Sequence, residues 1–151
     1  MFHGETAINL DAKGRLAIPT RYRDRIQELC DGQLVVTYNP WEAHSLWLYP
    51  LNEWERVQRE VMALSSLNEG HRWLQRCLVG SASRVEPDGQ ARILVPQTLR
   101  SVAGLDKRVT LMGMGPKFEI WDEEILNKTR LRRMQRGGPG EPTEEMASLR
   151  L

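Results

Sequence analysis

Polar and apolar positions change period several times along the chain, and each change marks an element. Residues 5–10 alternate as a half-buried strand does, Asp11-Ala12-Lys13-Gly14 carries turn chemistry, and Arg15 to Ile18 reads as a returning strand. This predicts a hairpin whose tip carries Lys13 and Arg15. From Thr20 to Cys30 the apolar residues Tyr22, Ile26, Leu29 and Cys30 fall at helical spacing, and Asp31-Gly32 stops the run. Gln33–Tyr38 and Ser45–Tyr49 are short strands on either side of an Asn39-Pro40 turn. Leu51–Leu67 and Asn68–Gly80 follow as amphipathic helices, with Trp54 and Trp73 expected to anchor their packing surface.

The second half repeats the first. Ser81–Glu86 is extended, Pro87-Asp88-Gly89 turns it into Arg92–Val95 with the apolar run Ile93-Leu94-Val95, and a helix spans Pro96 to Ala103 before Gly104. Arg108–Gly113 and Lys117–Trp121 are two more strands, and a final helix starts at Trp121. The stretch DAKGRLAIPTRYR (11–23) returns as DGQARILVPQTLR (88–100), so Asp11, Arg15, Ile18, Pro19 and Arg23 recur 77 residues on as Asp88, Arg92, Val95, Pro96 and Arg100. So regular a repeat is a duplicated unit. Pro19 and Pro96 suit the start of a helix, where no backbone N–H is required. The two central helices have no counterpart in the repeat and read as a connector.

Composition narrows the class. At 151 residues, 40% hydrophobic and 27% charged, the chain can bury one ordinary core, as one domain or as two small ones that share it. No apolar run approaches the ~18 residues of a membrane span, and the opening MFHGETAINLD lacks a signal-peptide core, so a cytosolic location is expected. Cys30 and Cys77 lie on helical patterns and read as buried free thiols. A net charge of +1 means that any contact with nucleic acid must rest on local charge.

Four separated blocks carry a specific likeness. The opening MF.G....NLD.KGRLAIP.RYR, then LWLYPL.EWE, then D...RILVP..LR, and last FEIWDEE resemble the MraZ family of bacterial transcriptional regulators. The resemblance implies an α+β fold in which two AbrB/MazE-like swapped-hairpin units form one pseudo-symmetric β-barrel with flanking helices. The units would span residues 5–52 and 81–124, with a helical connector at 53–80 and a C-terminal helix and mobile tail at 125–151. It also implies double-stranded DNA as partner, at direct repeats upstream of the operon for cell division and cell-wall synthesis, whose first gene encodes the regulator. Self-association into a ring-like homo-oligomer and association with the nucleoid are implied as well. The family's D-x-x-x-R motif, linked to DNA contact, is here Asp11 to Arg15 and Asp88 to Arg92.

Two residues depart from that pattern. His3 stands where the family commonly has Arg, which would remove one cation from the DNA face. Ala91 occupies the place of Gly14, and a positive φ there would strain it, so the second turn is expected to shift toward Gly89.

The residue chemistry points the same way. Arg15 and Arg92 each offer a planar fork that suits guanine O6 and N7 or a phosphate. A purely structural account has Arg15 pairing with Asp11 in its own turn. Phosphate would repel Asp11 and Asp88, so with Gly14 their expected task is to fix the turns and orient the arginines. Lys13 suits a simple phosphate contact. Arg21, Arg23 and Arg25 divide between a solvated helix face and a DNA-facing one, and the recurrence of Arg23 as Arg100 suggests a salt bridge between units. A second cluster (Lys128, Arg130, Arg132, Arg133, Arg136) is explained by the helix dipole, by neutralisation from Glu141, Glu144 and Glu145, or by an auxiliary DNA contact. His3, His44, His71 and the cysteines show no zinc-type spacing, so no metal or other cofactor is expected. No phosphate loop, nucleophile elbow or placed carboxylate pair points to an enzyme or a small-molecule substrate. The alternative from another class is an interaction module, antitoxin-like or a ring scaffold, that does not read DNA.

Overall fold

The computed structural model describes all residues, 1–151. Strand β1 (Phe2–Asn9) leads through a turn into β2 (Arg15–Ala17), followed by α1 (Thr20–Cys30), β3 (Leu34–Tyr38) and β4 (Ser45–Pro50). Helices α2 (Leu51–Met62) and α3 (Glu69–Leu74) come next, α3 running on into a wider π turn over Gln75–Val79. The second set is β5 (Ser83–Val85), β6 (Arg92–Leu94), α4 (Gln97–Ala103), β7 (Arg108–Gly115) and β8 (Phe118–Asp122). Helices α5 (Glu123–Gln135) and α6 (Glu144–Ala147) close the chain.

Pairing between the sets organises the molecule. The large sheet has the order β1-β7-β8-β4-β3-β5, every pair antiparallel, and β2 pairs antiparallel with β6 in a separate ribbon. Exchanging β1 with β5, β3 with β7 and β4 with β8 reverses the large sheet and leaves its order unchanged. The chain therefore has a pseudo-two-fold axis passing between β4 and β8 and between β2 and β6. Each set's first strand lies against the other set's third, as in Ile8 opposite Val109 and Val85 opposite Leu34.

This corrects the local hairpin expected from the sequence. β1 and β2 share no ladder, although the turn between them forms. Alternation and turn residues dictate strand, turn, strand; the partner of each strand is chosen by the core that both sets bury.

That core is common to both sets. Its 17 buried apolar residues are Phe2 and a series of equivalents: Leu16 with Ile93, Ile18 with Val95, Tyr22 with Leu99, Ile26 with Ala103, and so on to Leu48 with Ile120. Phe118 sits at its centre, its ring centroid 4.3 Å from that of Phe2 and 4.9 Å from that of Tyr22. β3 is buried on both faces, which explains its unbroken apolar run. Leu34 and Val36 enter the main core, while Val35 joins Tyr49, Trp54, Val61 and Leu78 in a smaller cluster under α2.

Trp54 anchors that cluster as expected, but Trp73 is 60% exposed and anchors nothing within the chain. Cys30 and Cys77 are free and half-buried, and burial pushes both thiols up. α2 stops at Met62, five residues short of the expected end. Pro19, Pro50 and Pro96 each cap a helix, with extended backbone just before the first turn. The tail from Pro139 onward is exposed and forms one element the pattern did not predict, the single-turn α6 capped by Thr143.

Candidate functional site

The repeated motif folds into two turns with matching bonds. In the first, Asp11 Oδ1 accepts from the backbone N–H groups of Lys13 and Arg15, both at 2.9 Å, and Oδ2 accepts from Arg15 Nε at 2.6 Å. The backbone N–H of Asp11 donates to the Arg15 carbonyl, and its own carbonyl accepts from Gly14, both at 3.0 Å. In the second, Asp88 Oδ1 accepts from Gln90 at 2.9 Å and Arg92 at 3.0 Å, and Oδ2 accepts from Arg92 Nε at 3.0 Å. The Asp88–Arg92 and Ala91–Asp88 backbone bonds repeat as well, both at 2.9 Å.

These bonds settle the fate of the second turn. Ala91 adopts φ 58° where Gly14 has φ 83°, so the turn has not moved toward Gly89. The carboxylate of Asp88 ties down the backbone on either side and holds a non-glycine residue in the left-handed region, at a cost of about 1–2 kcal/mol.

Both carboxylates are held in their charged form. The backbone N–H of Arg15, followed by the Arg15 side chain and the Lys13 N–H, lowers Asp11 from 3.8 to about 2. The Arg92 backbone N–H and side chain hold Asp88 below its usual value in the same way.

The β2–β6 ribbon sets the two turns side by side. The Gly14 carbonyl accepts from Val95 N–H at 3.0 Å and the Ala91 carbonyl from Ile18 N–H at 2.8 Å, closing both ends of the ladder. Arg15 lies opposite Leu94, Leu16 opposite Ile93 and Ala17 opposite Arg92. Leu16 and Ile93 are fully buried, so the alternate residues Arg15, Ala17, Arg92 and Leu94 share the outer face.

The two arginines are not equally free. The Nε of Arg15 is bonded to Asp11, and its two Nη groups have no hydrogen-bond partner in the protein. The structural pairing expected for Arg15 therefore exists and leaves the outer edge of the guanidinium available. Arg92 likewise hydrogen-bonds through Nε alone, but it faces two carboxylates: its Nη2 lies 3.0 Å from Asp88 Oδ2 and its Nη1 lies 3.8 Å from Asp11 Oδ2.

The other cations point in different directions. Lys13 is exposed at the tip of its turn and makes no ion pair. Arg21 reaches back to β1, donating to Thr6 Oγ1 at 2.6 Å and to the Glu5 carbonyl at 3.2 Å, and Arg25 pairs with Glu28. Arg23 and Arg100 form no salt bridge between units. Each donates its Nε to a carbonyl five residues earlier, Ile18 at 2.8 Å and Val95 at 2.9 Å. The Arg100 guanidinium also crosses to the other unit's turn and covers Gly14, where a Cβ would stand 2.3 Å from its Cζ.

In the C-terminal cluster, Lys128 pairs with Glu124 and Arg130 with Glu5, rather than with Glu141, Glu144 or Glu145. His3 lies at the far end of β1 from Asn9, about 20 Å away at strand spacing, so the missing cation does not belong to the paired turns. Lys107 lies outside the repeated motif of residues 88–100, so the sequence does not single it out. Its carbonyl accepts from Leu10 N–H at 2.8 Å, which sets it beside the first turn.

The chain is thus a duplicated α+β protein that presents two Asp-anchored arginines on one two-stranded ribbon. The family model described as "MraZ protein, putative antitoxin-like" matches this chain over residues 1–77 and again over 78–133. The chain belongs to the MraZ family. Among its relatives, proteins called "Transcriptional regulator MraZ" are 45% identical over 151 residues in Alkalilimnicola ehrlichii, spanning both chains completely. Those of Thioalkalivibrio sulfidiphilus and Stenotrophomonas maltophilia are 51% identical over 130 residues (86% of this chain, 85% of that one) and 50% over 124 residues (82% and 84%). No helix is long and apolar enough to cross a membrane.

Proposed function

We propose that this chain is a sequence-specific DNA-binding transcriptional regulator and that the outer face of the β2–β6 ribbon is its reading head. The observation that carries the reading is the pairing of two Asp-anchored arginines on one two-stranded ribbon, the Arg15 Nη groups being without a protein partner. A two-stranded ribbon fits the major groove of B-DNA, and a guanidinium with both Nη groups free can donate to guanine O6 and N7. Lys13, exposed at the tip, serves as a phosphate contact, and Arg92 takes a lesser part in reading. Asp11, Gly14 and Asp88 shape and orient the turns.

The finer parts of the proposal extend the resemblance drawn from the sequence. The units are residues 5–52 and 81–124, swapped-hairpin modules that together close one pseudo-symmetric barrel, with 53–80 as connector and 125–151 as C-terminal helix and tail. The sites are direct repeats upstream of the division and cell-wall operon that includes the regulator's own gene. The protein is cytoplasmic and nucleoid-associated, and it works as a ring-like homo-oligomer. One head makes few base contacts, whereas several heads joined rigidly engage repeated sites at high effective concentration.

A second reading, an interaction module that does not read DNA, is favoured by the antitoxin-like wording of the family description and by exposed Trp41 and Trp73 beside one groove. One titration separates the two. Fluorescence anisotropy of the wild-type protein is followed on the DNA just upstream of its own gene, with random duplex as competitor at fixed salt. Selective binding supports the regulator; equal competition by random duplex refutes it.

A further inference from the structure

Leu94 is 52% exposed, and a lone exposed leucine is by itself unremarkable on a protein surface. Its position sets it apart. The ladder bonds at Gly14–Val95 and Ile18–Ala91 make Arg15–Leu94 and Ala17–Arg92 the closer, non-hydrogen-bonded pairs, with Cβ atoms about 4.5–5.5 Å apart. Leu94 therefore stands directly beside the arginine whose Nη groups are free. The repeat places Ala17 at the equivalent position, so the ribbon is close to two-fold symmetric in its Asp–Arg turns but carries a large apolar side chain on one side alone.

Resting on the regulator reading above, we propose that Leu94 is a specificity-determining residue that contacts the C5-methyl group of a thymine in the base pair next to the one Arg15 reads. In the major groove the thymine methyl is the apolar mark of its base pair, and side chains recognise it by burial alone. With Arg15 holding the guanine edge, the ribbon brings the Leu94 methyl groups against a neighbouring pair, where either a cytosine or a uracil lacks the group that Leu94 covers. Ala17, beside Arg92, ends two bonds nearer the backbone, so at the ribbon-to-groove distance at which Leu94 touches a methyl Ala17 stops short of one. The head thus carries one methyl-sensing position rather than two related by the pseudo-symmetry.

The test replaces thymine by deoxyuracil, one position at a time, in the duplex from upstream of the protein's own gene. Binding is measured for wild type, Leu94→Ala and Leu94→Met. Leu94 is half out of the core, so the variants fold, and thermal unfolding checks this. The wild type and Leu94→Met should lose about fourfold in affinity at one thymine per head, the effect of uncovering a single methyl-sized group. Leu94→Ala should bind the thymine and uracil duplexes alike. If Leu94→Ala keeps the uracil penalty, or if the wild type selects this DNA over random duplex but is indifferent to every uracil, Leu94 only shields the stem of Arg15 and the proposal is overturned while the regulator reading stands. Failure of the wild type to select this DNA at all overturns both.

Discussion

The unequal commitment of Arg15 and Arg92 to carboxylates makes a quantitative prediction about their alanine variants. Arg15 gives one donor, Nε, to Asp11 and keeps both Nη groups, whereas Arg92 has Nη2 at 3.0 Å from Asp88 and Nη1 facing Asp11. A bidentate guanine contact is worth about 1–3 kcal/mol of discrimination, or roughly 5- to 150-fold in affinity for each engaged head. Arg15→Ala should lose that full amount on the DNA upstream of the protein's own gene, and more where several heads bind together. Arg92→Ala should lose less, because its guanidinium must first leave two carboxylates. Neither change should alter thermal unfolding much, since both side chains are part-exposed, at 28% and 29%, and such ion pairs contribute little to stability. The assay is anisotropy competition at one salt concentration, on target and random duplex. The reasoning is refuted if Arg92→Ala is the more damaging change, or if Arg15→Ala weakens both duplexes equally and so contacts phosphate alone.

Other parts of the site give independent expectations. Lys13→Ala should weaken target and random DNA alike and reduce the slope of log affinity against log salt by about 1. Gly14→Ala should destabilise the fold by at least about 1 kcal/mol, since its φ is positive and the new Cβ meets the Arg100 guanidinium; Ala91→Gly should instead raise Tm by about 1–4 °C by relieving its left-handed backbone, and a fall would contradict that strain. Asp11 should titrate near pH 2 by NMR. Its pKa is depressed on folding, so its stabilising contribution is complete above the ordinary value of 3.8 and is lost as pH falls through about 2. Arg15→Ala should return that midpoint only part of the way, because the Arg15 backbone N–H, the largest cause, remains. Phe118→Ala should cost about 3–5 kcal/mol in urea unfolding, as it empties the contact between Phe2 and Tyr22.

Local chemistry was legible in the sequence, and long-range partnership was not. The bounds of α1 follow from Pro19 and Asp31-Gly32 and the turn residues from the repeat, whereas the apolar run Ile93-Leu94-Val95 hides the alternation that turns Leu94 outward. Nothing in the stretch from Glu5 to Ile18 says that β1 will pair with a strand a hundred residues away, because turn and alternation suit a local hairpin equally well. Ala91 misled for a related reason. Backbone preference disfavours a positive φ there, but three bonds to the Asp88 carboxylate outweigh it. Trp73 misled by its spacing, which marks an apolar face without telling whether this chain covers it. Within the site, Asp11, Lys13 and Arg15 could be named from the motif, whereas the freedom of the Arg15 Nη groups and the arrival of Lys107 beside the turn depend on the fold.

The exchange of first strands has a consequence for dosage. Had each half been a separate polypeptide, its first strand would find a partner only by collision, and the ribbon that holds both arginines would form only above some threshold abundance. Joining the halves turns that encounter into a unimolecular step, so the geometry between Arg15 and Arg92 is complete in every single molecule, however few a cell contains. Any dependence on copy number then enters solely where whole molecules meet.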